Sequence, residues 1–358
     1  MTFRANRRQL LAALAGAALL PAAGHAQPAP ERRRFLLNSG YSGAQSWFFL
    51  AEDRGYFREA GIALDFTTGL GAYKAAPRMA EERFDIAFGD IYSMVEVVAA
   101  APPGVGAHLP IAVYAMFNRS PSMIAVDANG PIRTPRDLAG LRIVGHDRDV
   151  ALETFPAFAR ATGLDPASVD ARPRDATMAD MLRAMLAGEL GGVFGYVTTA
   201  TAHAQANGID LNRLRFIRYA DHLPDFYGHA LMVSRRLART DPGFVTELVR
   251  AVNLGLRDTL RDPAAGIAAI RRRDPAIRPE IERGRLDGTL AGEMSHPEGA
   301  RLGIGAVDTE RLERSIALHA ASKGLARTPA LSEIFNGAFL PPRRERVTSL
   351  ARTPELRG

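Results

Sequence analysis

A chain of 358 residues with 47% hydrophobic and 23% charged residues has an ordinary globular composition and is long enough for a large core or two lobes. It has no cysteine, which excludes disulfides, thiolate nucleophiles, cysteine–zinc sites and a lipid anchor on cysteine. The formal charge of +6 is carried almost wholly by arginine, with Lys74 and Lys323 as the two lysines, and no basic run is interleaved with aromatics, which argues against a nucleic-acid partner.

The first 26 residues read as an export leader. Arg4, Arg7 and Arg8 precede an apolar run from Leu10 to about Ala23, and Gly24 and Ala26 are small residues placed for cleavage. The run is short of the roughly 20 residues that span a bilayer. Asn6-Arg7-Arg8-Gln9-Leu10 resembles a twin-arginine signal; an ordinary secretory signal with two adjacent arginines is the other reading. Either predicts export and a periplasmic location.

Arg34 to Asn38 predicts a strand. Gln45 to Phe57 then places Phe48, Phe49, Ala51 and Tyr56–Phe57 on one helical face, opposite Glu52, Asp53 and Arg54. Gly55 weakens that helix near its end, Gly61 fits the stop, and Ile62 to Phe66 alternates as a second strand. The unit is strand, polar loop, helix, turn, strand. Gly69-Leu70-Gly71 next invites a dinucleotide reading, but Lys74 stands where the third glycine belongs and no acid follows at the right distance. A tight turn into a helix over 75–83 remains, whose first N–H groups can hold an anion or a polar ligand edge.

Phe84 to Asp90 predicts a strand and Ile91 to Ala101 an apolar helix. A proline-rich loop at Ala101–Gly104 leads to a strand over Leu109–Phe117, a polar break at Asn118–Ser122 and a strand over Met123–Val126. Thr134 to Gly140 is a capped helical turn, and Leu141 to Val144 a strand. The plan then repeats. A helix over Ala151–Thr162 is closed by Gly163 as Gly61 closed the first, a helix spans Met178–Leu186, and Gly192–Tyr196 is a strand. Its Phe194-Gly195 echoes Phe88-Gly89, 106 residues earlier. Two α/β lobes of similar plan follow, with strands at Arg215–Tyr219 and Tyr227–Ser234 leading out of the second. Helices are expected from Asp241 towards Leu260, over Ala264–Arg273, over Arg283–Glu293 and over Asp308–Lys323, the last with Leu312, Ile316 and Leu318 inward. These C-terminal helices are expected on the first lobe.

The phrase Leu50-Ala51-Glu52-Asp53-Arg54-Gly55-Tyr56-Phe57-Arg58-Glu59-Ala60-Gly61-Ile62 resembles the wording of solute-binding proteins of ABC importers for nitrate, sulfonates, taurine and thiamine pyrimidine precursors. Four further phrases keep the family's order: Ile132–Leu141, Tyr227–Val233, Asp241–Ala251 and Phe339-Leu340-Pro341. Two departures stand out. Gly192 replaces the acid of a common family phrase, and the loop Ser42–Trp47 lacks the Asn-x-x-His of pyrimidine-precursor binders. The fold expectation survives both; the ligand assignment does not.

The resemblance implies a two-lobed periplasmic binding protein, each lobe a mixed sheet flanked by helices, with a ligand cleft between lobes. Residues 27–119 would form lobe one and 120–227 lobe two. Residues 228–340 would return to lobe one, and 341–358 would be a basic tail. Such sites use loops at the carboxyl ends of strands and close by hinge motion. Carried onto this chain, lobe one offers Tyr41, Ser42, Gln45, Trp47, Gly69, Tyr73, Gly89, Asp90 and Tyr92. The crossover offers Asn118, Arg119 and Ser120, and lobe two offers His146, Asp147, Asp149, Tyr196, Thr198 and Thr199. Asp221 and Tyr227 lie on the return.

Each has a plainer role beside this one. Trp47 either packs in the core beside Phe48 or stacks on ligand at the cleft mouth. Arg119 either pairs with a carboxylate or sulfonate or is a solvated hinge arginine. Asp90 caps the following helix, a role compatible with ligand binding. The tyrosines and Trp47 suit a flat or partly apolar ligand, and the acids suit one with donors. An enzyme is not expected: Gly40-Tyr41-Ser42-Gly43-Ala44 fails the nucleophile elbow at its last position, and no histidine pair has metal-site spacing. The expected partners are a small-molecule ligand and an ABC permease in the inner membrane; the alternative is a periplasmic enzyme or a sensor subunit on the same two-lobed scaffold. No cofactor, metal or nucleic acid is expected, and the protein is expected to be a monomer.

Overall fold

The computed structural model describes residues 32–350 apart from 83 and 103–105, and these fall in one compact unit. The leader, Arg83, Pro103-Gly104 of the proline-rich loop and the last eight residues of the tail lie outside the described residues.

Two five-stranded mixed sheets organise the chain. The first takes β1 (Arg32–Leu36), β2 (Ala63–Thr67), β3 (Ile86–Asp90), β4 (Pro110–Ala115) and β10 (His229–Ser234). Its order is β2-β1-β3-β10-β4, with β1 parallel to β2 and β3, and β10 antiparallel to β3 and β4. The second takes β5 (Ser122–Asp127), β6 (Arg142–Gly145), β7 (Asp170–Pro173), β8 (Gly192–Tyr196) and β9 (Leu214–Arg218), in the order β7-β6-β8-β5-β9. Here β6 is parallel to β7 and β8, and β5 is antiparallel to β8 and β9. The two sheets share one plan, and the chain crosses between them twice, after β4 and before β10.

The echoed Phe-Gly pairs sit at one place in that plan, near the end of β3 and of β8. A Cβ on Gly89 would come within 2.4 Å of Ala75 Cβ, and one on Gly195 within 2.8 Å of Met178 Cε. Each glycine lets a flanking helix approach the middle of its sheet.

The helices are α1 (Ser46–Asp53), α2 (Ala72–Glu82), α3 (Ile91–Ala100), α4 (Phe155–Thr162), α5 (Met178–Leu186), α6 (Val197–Ala206), α7 (Pro242–Arg261), α8 (Pro263–Arg273), α9 (Pro279–Gly288) and α10 (Thr309–Lys323). α1 ends early because Gly55 adopts φ 81° and starts a separate turn, Tyr56–Glu59; Gly61 then stops the chain at φ 70°. The helix expected over 151–162 breaks in two at Thr154, since Pro156 has no N–H to continue the ladder. α2 begins three residues before the expected start, directly after Gly71 at φ 119°.

β7 and α6 were not legible. β7 is a short edge strand with little burial, and α6 is a threonine- and alanine-rich segment with no clean apolar stripe.

The first lobe's core holds Phe35, Trp47, Phe48, Phe88 and Phe117, covered by α7 and α8, which pack on α1. The C-terminal helices reach lobe one as expected, and two of them also touch lobe two. α9 packs against α6, and on α8 and the Gly43–Gln45 turn of the first lobe as well. α10 packs against both α3 and α4. Leu312 and Ile316 of α10 enter a first-lobe cluster, while half-buried Leu318 touches the second-lobe core around Phe158.

Candidate functional site

Loops at the carboxyl ends of β1, β2, β6 and β8 enclose a cavity of about 330 Å³ between the two sheets. One wall is Asn38–Ser42 and Leu70–Ala72. The other is His146–Val150, Met178 and Gly195–Thr199. Phe117 and His229 close the back, and Arg285 of α9 and Glu293 of the following turn close a side. α6 opens onto this space with Tyr196 as its N-cap residue and no side-chain cap. Such a helix start leaves backbone N–H groups for a ligand.

A hydrogen-bonded chain runs along the back wall. Gln45 Nε2 lies 2.5 Å from Gly40 O and 3.3 Å from Ser39 Oγ, and the Ser39 hydroxyl donates to Asn38 Oδ1 at 3.3 Å. Asn38 Nδ2 is 3.2 Å from His229 Nδ1, and His229 Nε2 is 3.0 Å from Tyr196 Oη. His229 is buried, stacked on Phe117 at 4.6 Å and edge-on to Phe88 at 5.4 Å. Burial pushes its imidazole down to about 3, so the ring is neutral in ordinary buffers. Burial likewise holds the Tyr196 phenol well above its usual value.

Glu293 is buried and accepts from Thr198 Oγ1 at 2.9 Å; burial pushes its carboxyl up. At the cavity mouth, exposed Asp147 pairs with Lys74 at 2.9 Å, an inter-lobe pair of small energetic weight in solvent. Beside it, Arg148 is the one non-glycine residue with positive φ, 57°, among the described residues. Its guanidinium lies 3.3 Å from Glu153 and 3.9 Å from Glu96, over the Tyr73 ring. Lys323 bridges the same two carboxylates at 2.7 and 3.3 Å. Burial raises Glu96, but His319 at 3.3 Å, the Tyr73 hydrogen bond and the nearby Lys323 charge outweigh it and hold its carboxyl at about 2.

Of the residues singled out in sequence, Tyr41, Ser42, His146, Asp147, Asp149, Tyr196, Thr198 and Thr199 line the cavity. Gln45 stands one layer behind, tying Ser39 and Gly40. Gly69 is also behind, so close that a Cβ would meet Leu37 O at 1.9 Å.

The others lie away from the cavity wall. Trp47 is fully buried in the first core. Tyr73 is buried and donates to Glu96 Oε1 at 2.5 Å. Gly89 serves the contact with α2. Asp90 is fully buried and caps α3 through the N–H groups of Tyr92 and Ser93; burial raises its carboxyl to about 7. Tyr92 stacks on Phe226 at 4.3 Å and accepts from Tyr227 N. Tyr227 donates to Glu298 at 2.9 Å beside the second crossover, and Asn118 accepts from His296 N at 3.0 Å. Arg119 and Ser120 line a smaller neighbouring cavity of about 110 Å³; Arg119 lies 3.7 Å from Asp221, which is exposed and also bound by Arg218.

Asn38, His229, Arg285 and Glu293 were missed. Asn38 lies two residues past β1 and His229 begins β10, both beside strands that the sequence located, and the position of a strand end is a detectable signal. Arg285 and Glu293 come from an element that only tertiary packing brings to the cleft.

Residues 45–266 match the family described as NMT1/THI5 like. The chain belongs to the NMT1/THI5-like family. No curated protein sequence matches it significantly. Among solved structures it is similar to the alkanesulfonate-binding protein SsuA from Xanthomonas axonopodis pv. citri bound to MOPS. That match has 16% identity and a TM-score of 0.63, covering 87% of this chain and 99% of that one. It is also similar to the periplasmic aliphatic sulphonate binding protein SsuA from Escherichia coli, at 15% identity and TM-score 0.64, covering 86% and 92%. A mutant of the enzyme DSZB in complex with biphenyl-2-sulfinic acid aligns at 16% identity and TM-score 0.58, covering 86% and 97%. These likenesses establish the periplasmic-binding-protein fold for this family member. Among the described residues no helix is long and apolar enough to cross a membrane.

Proposed function

We propose that the protein is the substrate-binding subunit of an ABC-type importer, capturing a small organic solute by closure of two lobes. In this reading residues 1–26 are an export signal, 27–119 and 120–227 are the lobes, 228–340 return to the first lobe, and 341–358 are a basic tail. The monomeric mature protein works in the periplasm and delivers its ligand to a permease in the inner membrane. The observation that carries the reading is the cavity between the strand ends of two like sheets. Its volume of about 330 Å³ is within the range of small-molecule sites, and it is walled from both lobes. The sulfonate-binding names of two structural neighbours support a sulfonate as the solute, and Tyr41 and Tyr196 at the cavity support an aromatic or heteroaromatic compound.

A thermal-shift screen of the mature chain over sulfonates, aromatic carboxylates, pyrimidines and nitrate tests it. Saturable stabilisation by at least one class is expected. No shift with any of them counts against the reading. An enzyme on the same scaffold is the second reading, favoured by the likeness to DSZB, and it would show as consumption of biphenyl-2-sulfinic acid on incubation.

A further inference from the structure

We infer that Asn38 and His229 are positioning residues that fix the Tyr196 hydroxyl as a hydrogen-bond donor into the cavity, so that the site selects ligands presenting an acceptor oxygen or nitrogen there. The inference rests on the cavity being the ligand site, as proposed above.

The polarity of the chain follows from its ends. At 2.5 Å from Gly40 O, the Gln45 amide must present nitrogen, since oxygen there would face oxygen. That nitrogen also points at Ser39 Oγ, which therefore accepts. The Ser39 hydroxyl is 3.3 Å from both Asn38 Oδ1 and Gly40 O, and its bond to Oδ1 is the one that orients the Asn38 amide. With Oδ1 engaged, Asn38 presents Nδ2 to His229, so Nδ1 of the neutral ring accepts and Nε2 carries the proton. Nε2–H donates to Tyr196 Oη. A hydroxyl that accepts at its oxygen keeps its own proton free, and Tyr196 lines the cavity.

The last bond crosses between the lobes. Asn38 follows β1 and His229 begins β10, both in the first sheet, whereas Tyr196 ends β8 in the second. The histidine tautomer is thus set inside one lobe before closure, and closure delivers Tyr196 to it. Phe117 stacked on the ring fixes its plane for that contact.

The test begins without any ligand. In the full mature chain, long-range 15N NMR of the imidazole should show His229 as the neutral Nε2–H tautomer. In Asn38→Asp, at a pH where the ring is neutral, an acceptor replaces the amide donor and the tautomer should switch to Nδ1–H. Benzenesulfonate titrated by calorimetry should bind Tyr196→Phe and Asn38→Asp about 10- to 100-fold more weakly than wild type, the loss expected for one hydrogen bond to a charged group. The double variant should lose no more than the worse single one. An Nδ1–H tautomer in the wild type overturns the relay. The stated tautomer with undiminished affinity in Tyr196→Phe overturns the role of Tyr196. The stated tautomer with no binding of benzenesulfonate or any other member of the screen overturns the binding reading beneath the proposal and leaves the relay itself intact.

Discussion

Arg311 of α10 braces the two crossovers, and replacing it with methionine is a direct probe of how they are held. Its guanidinium donates to Asn118 O at 2.8 Å, Pro224 O at 3.0 Å and Phe226 O at 3.2 Å, carbonyls from both crossing segments. It lies 4.1 Å from the Tyr227 ring centroid, and its Nη1 stands 2.9 Å from Glu298 Oε2, an ion pair off hydrogen-bond alignment. Both side chains are buried, 5% and 3% exposed, so solvent can replace neither. Arg311→Met therefore leaves three carbonyls short of a donor and Glu298 buried without its cation.

Three charge-assisted bonds at a low value of about 1.5 kcal/mol each give roughly 4.5 kcal/mol, in line with the ~3–5 kcal/mol cost of breaking a buried pair. Urea unfolding followed by circular dichroism measures this directly. Arg311→Met should lose about 3–5 kcal/mol, and the double variant with Glu298→Gln should recover part of that loss, because the stranded charge is gone. A loss below about 1 kcal/mol for the single variant, or no recovery in the double, would refute the reasoning.

Asp90→Asn should change how stability depends on pH. The Asp90 carboxyl titrates at about 7 in the fold against 3.8 in a free chain, because burial disfavours its charge. The folded state thus holds that proton more tightly; stability is fully present below pH 3.8 and is lost as pH rises through 7, by an amount on the order of 4 kcal/mol. Asparagine caps equally well without titrating, so urea curves at pH 4 and pH 8 should show the variant gaining on wild type at pH 8; parallel behaviour at both would sink the assignment. Trp47→Ala should cost about 3–5 kcal/mol by emptying a fully buried site, while refolded protein still binds whatever ligand the screen yields; lost affinity in well-folded protein would return Trp47 to the cleft. Gly255→Ala should destabilise by about 1–3 kcal/mol, since the new Cβ would lie 2.3 Å from Trp47 O and force α7 off α1; an unchanged melting temperature would contradict that contact.

Much of the fold was legible because its signals are local. Apolar alternation marked β2, short apolar runs marked β5 and β8, and Gly61 and Gly163, both left-handed in the structure, marked helix ends. The capped turn at Thr134 forms, with Asp137 accepting from the Thr134 N–H at 2.7 Å. The repeated Phe-Gly is a packing requirement of the third strand in each sheet, and it can be read without knowing the sheet order. The family phrase Leu50–Ile62 belongs to this scaffold: α1, its glycine break and the turn into β2 are buried or structural, and none of these residues lines the cavity.

The site was legible in part, for a physical reason. Sequence pattern shows where strands end, and so it reached Tyr41, Ser42, His146, Asp147, Tyr196 and Thr198. It cannot show which way a side chain turns once it is there. Trp47, Tyr73, Tyr92 and Tyr227 are aromatic residues near strand or loop ends, as Tyr41 and Tyr196 are, yet packing buries the first four and leaves the other two half-buried at the cavity. The sequence by itself determined the two α/β lobes, the crossovers and the helix stops, because periodicity, glycine and capping act over a few residues. Tertiary structure alone decided that His229 stands between Asn38 and Tyr196 and that α9 and its following turn bring Arg285 and Glu293 to the cleft. Those contacts join residues 33 to 191 positions apart, and their energetics depend on burial that no local pattern encodes.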